Sequence, residues 1–152
     1  MTAEGRVSLD TNLLVYAVDL DAGEKNEIAR TLLGAAARQD SYLTVQALGE
    51  FFHATTRKNL LGHEEAERFI EEWRSVFTII VASEAALMTA TKAVREHGLS
   101  FWDAMLWATS RQAGCTHILS EDMQHGRNLG GVEIINPFDE GAAEVLSNLF
   151  GS

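Results

Sequence analysis

The sequence predicts an α/β fold: a central, mainly parallel sheet covered by helices on both faces, in a three-layer α/β/α arrangement. Three observations lead there. Short runs of aliphatic and β-branched residues alternate with amphipathic helical stretches along the chain. A length of 152 residues, 46% of them apolar, suits one domain, residues 1–152, with a sizeable core. No linker, internal repeat or low-complexity tract divides it.

Val7 and Leu9 alternate with polar neighbours and form the first strand, which Asp10, Thr11 and Asn12 turn into a helix carrying Leu13, Leu14 and Val15. Ile28, Leu32 and Leu33 share one face of a helix over residues 24–38. Residues 42–45 make a brief strand, and Thr44 caps a helix with a stripe of Leu48, Phe51, Phe52 and Thr55. Gln46, Glu50, Ala54 and Arg57 run along another line of that helix. Gly62 precedes a charged helix over 63–75, and residues 77–81 read as the clearest buried strand. Ser83 and Glu84 open a helix that His97 and Gly98 stop. Ser100 caps a helix over 101–113 ended by Gly114, and strands follow at 117–120 and 132–135. Between these strands, residues 121–131 read as a polar loop, and the last dozen residues as a small helix or a fraying tail.

Composition narrows the function. With 22 acidic against 12 basic residues, the formal charge is −10, which argues against a general electrostatic grip on a polyanion. The single cysteine, Cys115, excludes an internal disulfide and reads as a small buried hydrophobe. No apolar run is long enough to span a bilayer, and Met1–Arg6 has no signal-peptide pattern, so a soluble, cytoplasmic protein is expected. The five histidines show no ligand spacing. Trp73, Trp102 and Trp107 read as packing or interface residues rather than base-stacking platforms, because no basic stripe surrounds them. Arg57, Lys58 and Arg127 are the candidates for touching a phosphate.

Four acids carry the chemistry: Asp10 at a strand end, Glu50 within a helix, Asp103 near a helix start and Asp122 after a late strand. Each has an ordinary explanation. Asp10 is a good N-cap, Ser100 to Asp103 has the spacing of a capping box, Asp122 is a turn former, and Glu50 suits a solvated helix face. These separate roles leave their common placement unexplained, since ligands of open parallel sheets sit beyond the carboxyl ends of the strands. Clustered carboxylates raise one another's pKa, so a hard divalent cation, Mg2+ or Mn2+, is their natural companion.

The segments Val-Ser-Leu-Asp10-Thr11-Asn12, Ala-Leu-Gly-Glu50-Phe-Phe, Ser-Phe-Trp-Asp103-Ala and Ile-Leu-Ser120-Glu121-Asp122, in this order, resemble PIN-domain ribonucleases of the VapC toxin type. The likeness extends to the Gly-Gly-Val-Glu-Ile-Ile-Asn-Pro ending. It implies that Asp10, Glu50, Asp103 and Asp122 hold one or two Mg2+ or Mn2+ ions, with Thr11, Asn12 and Ser120 as hydrogen-bonding support. It further implies metal-assisted hydrolysis of RNA to 5'-phosphate products, a cognate antitoxin bound over the site, and a homodimer. Either Glu121 or Asp122 can be the fourth acid, the Ser-x-Asp spacing favouring Asp122. A non-catalytic interaction module is the alternative. A doubly wound phosphatase is disfavoured, because Asn12 stands where a second acid is needed.

Overall fold

The computed structural model describes residues 5–151; Met1–Glu4, part of the stretch read for a leader, and Ser152 lie outside the described residues. Among the described residues, no helix is long and apolar enough to cross a membrane. The strands are β1 (Val7–Leu9), β2 (Ser41–Thr44), β3 (Thr78–Ile80), β4 (His117–Leu119), β5 (Asn128–Leu129) and β6 (Val132–Ile135). The helices are α1 (Thr11–Val18), α2 (Glu24–Ala37), α3 (Val45–Arg57), α4 (His63–Val76), α5 (Glu84–His97), α6 (Phe101–Gln112) and α7 (Ala143–Phe150).

The sheet runs in the order β3-β2-β1-β4-β6-β5, with every pairing parallel except β5 with β6. The chain builds outward from β1 to β3 on one side, then returns to lay β4 on the other side of β1. The order therefore reverses between β1 and β4, where a crevice opens beyond the strand ends.

Alternation along the strands separates two cores. Val7, Leu9, Leu43, Leu119 and Ile135 pack with buried residues of α1, α2, α3, α4 and α7. Ile118, Val132 and Ile134 point to the opposite face and pack with α5 and α6. Ser8 lies between Val7 and Leu9, on the α6 side, where its hydroxyl meets that of Ser110 at 2.7 Å. The expected mainly parallel α/β architecture is the one observed.

Local capping follows side-chain chemistry. The Thr44 hydroxyl accepts from Ala47 N at 2.9 Å, and that of Ser83 from Ala86 N at 3.1 Å. Gly98 ends α5 in the left-handed conformation at φ 69°, which a Cβ would disfavour.

Two expectations need correction. The run at 77–81 is not the most buried strand: β3 is an edge strand with Thr78 exposed, and Val81 beyond it is 69% exposed. Ile79 packs against the core that contains α1 to α4, while Ile80, on the opposite face, is only half-buried and joins neither core. The loop at 121–131 contains β5, whose two residues pair antiparallel with β6 across Gly130 and Gly131, both at positive φ. A two-residue strand is too short to show an apolar period.

Candidate active site

Parallel register brings the first two groups together. Leu9 pairs with Leu119, so Asp10 and Ser120 leave the sheet side by side, and Asp10 N donates to Leu119 O at 3.0 Å. The Ser120 hydroxyl donates to Asp10 Oδ2 at 2.6 Å and accepts from Asp122 N at 3.1 Å. Thr11 N donates to Asp10 Oδ1 at 2.7 Å, so Asp10 does cap α1 while its carboxylate also enters the crevice. α6 supplies Asp103. Its backbone N–H caps on the Ser100 hydroxyl at 3.2 Å, but the reciprocal bond of a capping box is not made, and its carboxylate joins the cluster.

Carboxylate oxygens of Asp10, Asp103 and Asp122 lie within 4.8 Å of one another. Glu50 is not in this group. It lines the same cavity from α3, and its Oε1 accepts from Gln46 Nε2 at 2.7 Å. The cavity measures about 380 Å³ and is also lined by Thr11, Asn12, Tyr16, Lys58 and Trp102.

Burial pushes the Asp10 carboxyl up to about 6, outweighing the hydrogen bonds from Ser120 and Thr11, and the charges of Asp103 and Asp122 push the same way. Asp122 is also raised, by burial and by the charges of Asp103 and Glu121, while a hydrogen bond from Asn12 opposes the shift. No Lys or Arg forms a salt bridge to these aspartates among the described residues. Asn12 Oδ1 is buried without a hydrogen-bond partner. Three convergent carboxylates, one unsatisfied amide oxygen and an uncompensated negative field fit a hard divalent cation, which prefers oxygen donors.

Glu121 is turned away from the cluster. It accepts from the Tyr16 hydroxyl at 2.6 Å and pairs with Lys25, whose ammonium also lies 5.1 Å from the Tyr16 ring centroid. These partners hold the Glu121 carboxyl below the usual range despite its burial. Of the two neighbouring acids, Asp122 is therefore the one facing the crevice.

Arg57 does not line the cavity, and Arg127 donates to His97 O at 2.8 Å. Lys58 lines it instead, continuing the i, i+4 series of Gln46, Glu50 and Ala54. Trp73 and Trp107 are buried, as expected, but Trp102 is 59% exposed at the cavity. Reading the sequence for packing overlooked Trp102 and Tyr16. The proximity of Trp102 to Asp103 was the available signal, because adjacent residues at a helix start stand at the same end of the fold.

The model of the PIN domain family matches residues 7–128, which contain all four acids. The chain belongs to the PIN domain family. No curated protein sequence matches it. Among solved structures, a toxin–antitoxin complex from Klebsiella pneumoniae is 20% identical with a TM-score of 0.63, the alignment covering 88% of this chain and 98% of that one. The sarcin-ricin loop cleaving toxin VapC20 of Mycobacterium tuberculosis is 19% identical, TM-score 0.61, over 76% and 91% of the two chains. DNA-bound VapBC from Salmonella typhimurium is 15% identical, TM-score 0.62, over 85% and 96%. At these identities, the likeness establishes the shared PIN fold.

Proposed function

We infer that this PIN domain is a divalent-metal-dependent endoribonuclease and the toxin of a toxin–antitoxin pair. The observation that carries the reading is the convergence of Asp10, Asp103 and Asp122 from three separate elements into one oxygen-rich crevice. The toxin–antitoxin setting is supported by the similar structures, one described as a sarcin-ricin loop cleaving toxin and others as complexes with an antitoxin or with DNA. A cognate antitoxin covering the acidic crevice and a homodimer belong to the same proposal, as does action in the cytoplasm.

Asp10, Asp103 and Asp122 would hold the ion, Mg2+ or Mn2+. Such a cation supplies Lewis acidity for a water nucleophile and offsets charge on the phosphate. The chain's own groups do the rest. Ser120 and the Thr11 amide fix both oxygens of Asp10, and the Ser120 hydroxyl also fixes the Asp122 backbone. Glu50, outside the aspartate cluster and exposed in the same cavity, accepts the proton released as water attacks phosphorus. The new O–P bond forms as the P–O3' bond breaks. The products are a 5'-phosphate and a 3'-hydroxyl, whose oxygen takes its proton from solvent.

Incubation of pooled cellular RNA with the purified protein, in Mg2+ or Mn2+ against excess chelator, tests the assignment. Cleavage that requires metal and disappears in Asp103→Asn is the expected outcome. RNA left intact by folded, inhibitor-free protein in both metals would overturn it.

A further inference from the structure

The fold leaves one of three tryptophans open. Trp73 and Trp107 are 7% and 4% exposed, whereas Trp102 is 59% exposed. Core packing therefore explains the first two and not the third. Trp102 is the second residue of α6, immediately before Asp103, and lines the cavity into which the aspartates point. Its aromatic neighbour is Phe101, with centroids 4.8 Å apart and ring planes at 71°. An edge-to-face pair occupies at most one face of the indole, so the other remains available.

The α3 wall belongs to the layer on the other face of the sheet and brings Lys58 to the same cavity. Lys58 is the only Lys or Arg among the lining residues and forms no salt bridge among the described residues. An aromatic plane and a single unpaired cation, flanking an oxygen-rich cluster, match the three parts of a nucleotide unit: base, neighbouring phosphate and reacting phosphate.

We propose that Trp102 is a stacking platform for a nucleobase next to the scissile phosphate and that Lys58 holds an adjoining phosphate, restricting the protein to unpaired RNA. The proposal rests on the ribonuclease reading above. A base inside a duplex is covered on both faces by its neighbours and cannot lie on the indole without leaving the stack. Stacking also answers the charge problem. In a chain of net charge −10, affinity drawn from a π-face does not depend on a positive field. One lysine contact on a single strand gives only a shallow salt dependence, with a slope of about −0.7.

Adenosine 5'-monophosphate has no phosphodiester bond to cleave and is the first probe. Titrated into the wild type in Mg2+, it should quench tryptophan emission saturably. Ribose 5-phosphate, which lacks the base, should not. The quench should vanish in Trp102→Phe, which keeps Trp73 and Trp107. In parallel, cleavage of a mixed-sequence single-stranded RNA pool should fall about tenfold to a hundredfold in kcat/KM for Trp102→Ala and largely recover in Trp102→Phe. The same pool annealed to its complement should stay intact. Lys58→Ala should flatten the salt slope by about 0.7.

Quenching that persists in Trp102→Phe, cleavage by folded Trp102→Ala within twofold of wild type, or equal cutting of the duplex would overturn the platform. An unchanged salt slope in Lys58→Ala would overturn the phosphate contact. Trp102-dependent quenching without RNA cleavage would leave the subsite standing and remove the ribonuclease reading. Cleavage indifferent to Trp102 would do the reverse.

Discussion

Asp10→Asn should stabilise the metal-free protein at neutral pH while abolishing its response to metal. Burial raises the Asp10 carboxyl from 3.8 to about 6, so between these values the folded protein binds a proton that the unfolded chain releases. Stability contributed at this position is thus fully present below about pH 4 and is lost as pH rises through 6. A carboxyl moved from 3.8 to about 6 corresponds to roughly 3 kcal/mol as an upper bound. Asparagine still offers an oxygen to Thr11 N and can donate to the Ser120 hydroxyl, but it remains a buried polar group, so a gain of about 2 kcal/mol is expected. Urea unfolding of both proteins in chelator, from pH 4 to 7.5, measures this. Taking the difference between them cancels the other titrating groups. The stability difference should be near its smallest at pH 4 and grow by about 2 kcal/mol by pH 7.5. Mn2+ at a hundredfold excess over its dissociation constant should then stabilise the wild type by about 2.7 kcal/mol and leave the variant unmoved. A difference independent of pH would refute the claim that a buried, uncompensated carboxylate strains the metal-free site.

Other substitutions probe separate parts of the construction. Asp122→Asn should abolish RNA cleavage while Glu121→Gln retains it, because Glu121 faces Tyr16 and Lys25; the two variants are compared in the same cleavage assay. Lys25→Met should cost less than about 1 kcal/mol in urea unfolding, since the Lys25–Glu121 pair is partly solvent-exposed. Ser120→Ala removes the donor to Asp10 and the acceptor for Asp122 N, and should weaken Mn2+ binding about tenfold or more by calorimetry. Phe51→Ala empties a fully buried position packed edge-on against Phe69 and Trp73, and should cost about 3–5 kcal/mol in the same unfolding assay.

Element order and most boundaries were legible in the chain because their causes are local. Thr44, Ser83 and Ser100 cap the helices that follow them, and the apolar period of β1, β4 and β6 marks the strands the sheet contains. The acids could be proposed as a set because strand ends in a parallel sheet share one side. Expectations failed where the local signal was short, as at the two-residue β5, or where an apolar run lies at the edge of the sheet, as at β3.

Local patterning in the chain thus specifies the succession of most strands and helices and the end of the sheet to which Asp10 and Asp122 belong. Which groups meet is settled by long-range packing. Register between β1 and β4 set Asp10 against Ser120, and the Tyr16–Lys25 pair drew Glu121 out of the crevice while Asp122 entered it. Packing on opposite faces of the sheet brought Trp102 from α6 and Lys58 from α3 to one cavity, and left Glu50 outside the aspartate cluster. Such choices depend on contacts between residues about a hundred positions apart, whose geometry no local period or cap encodes.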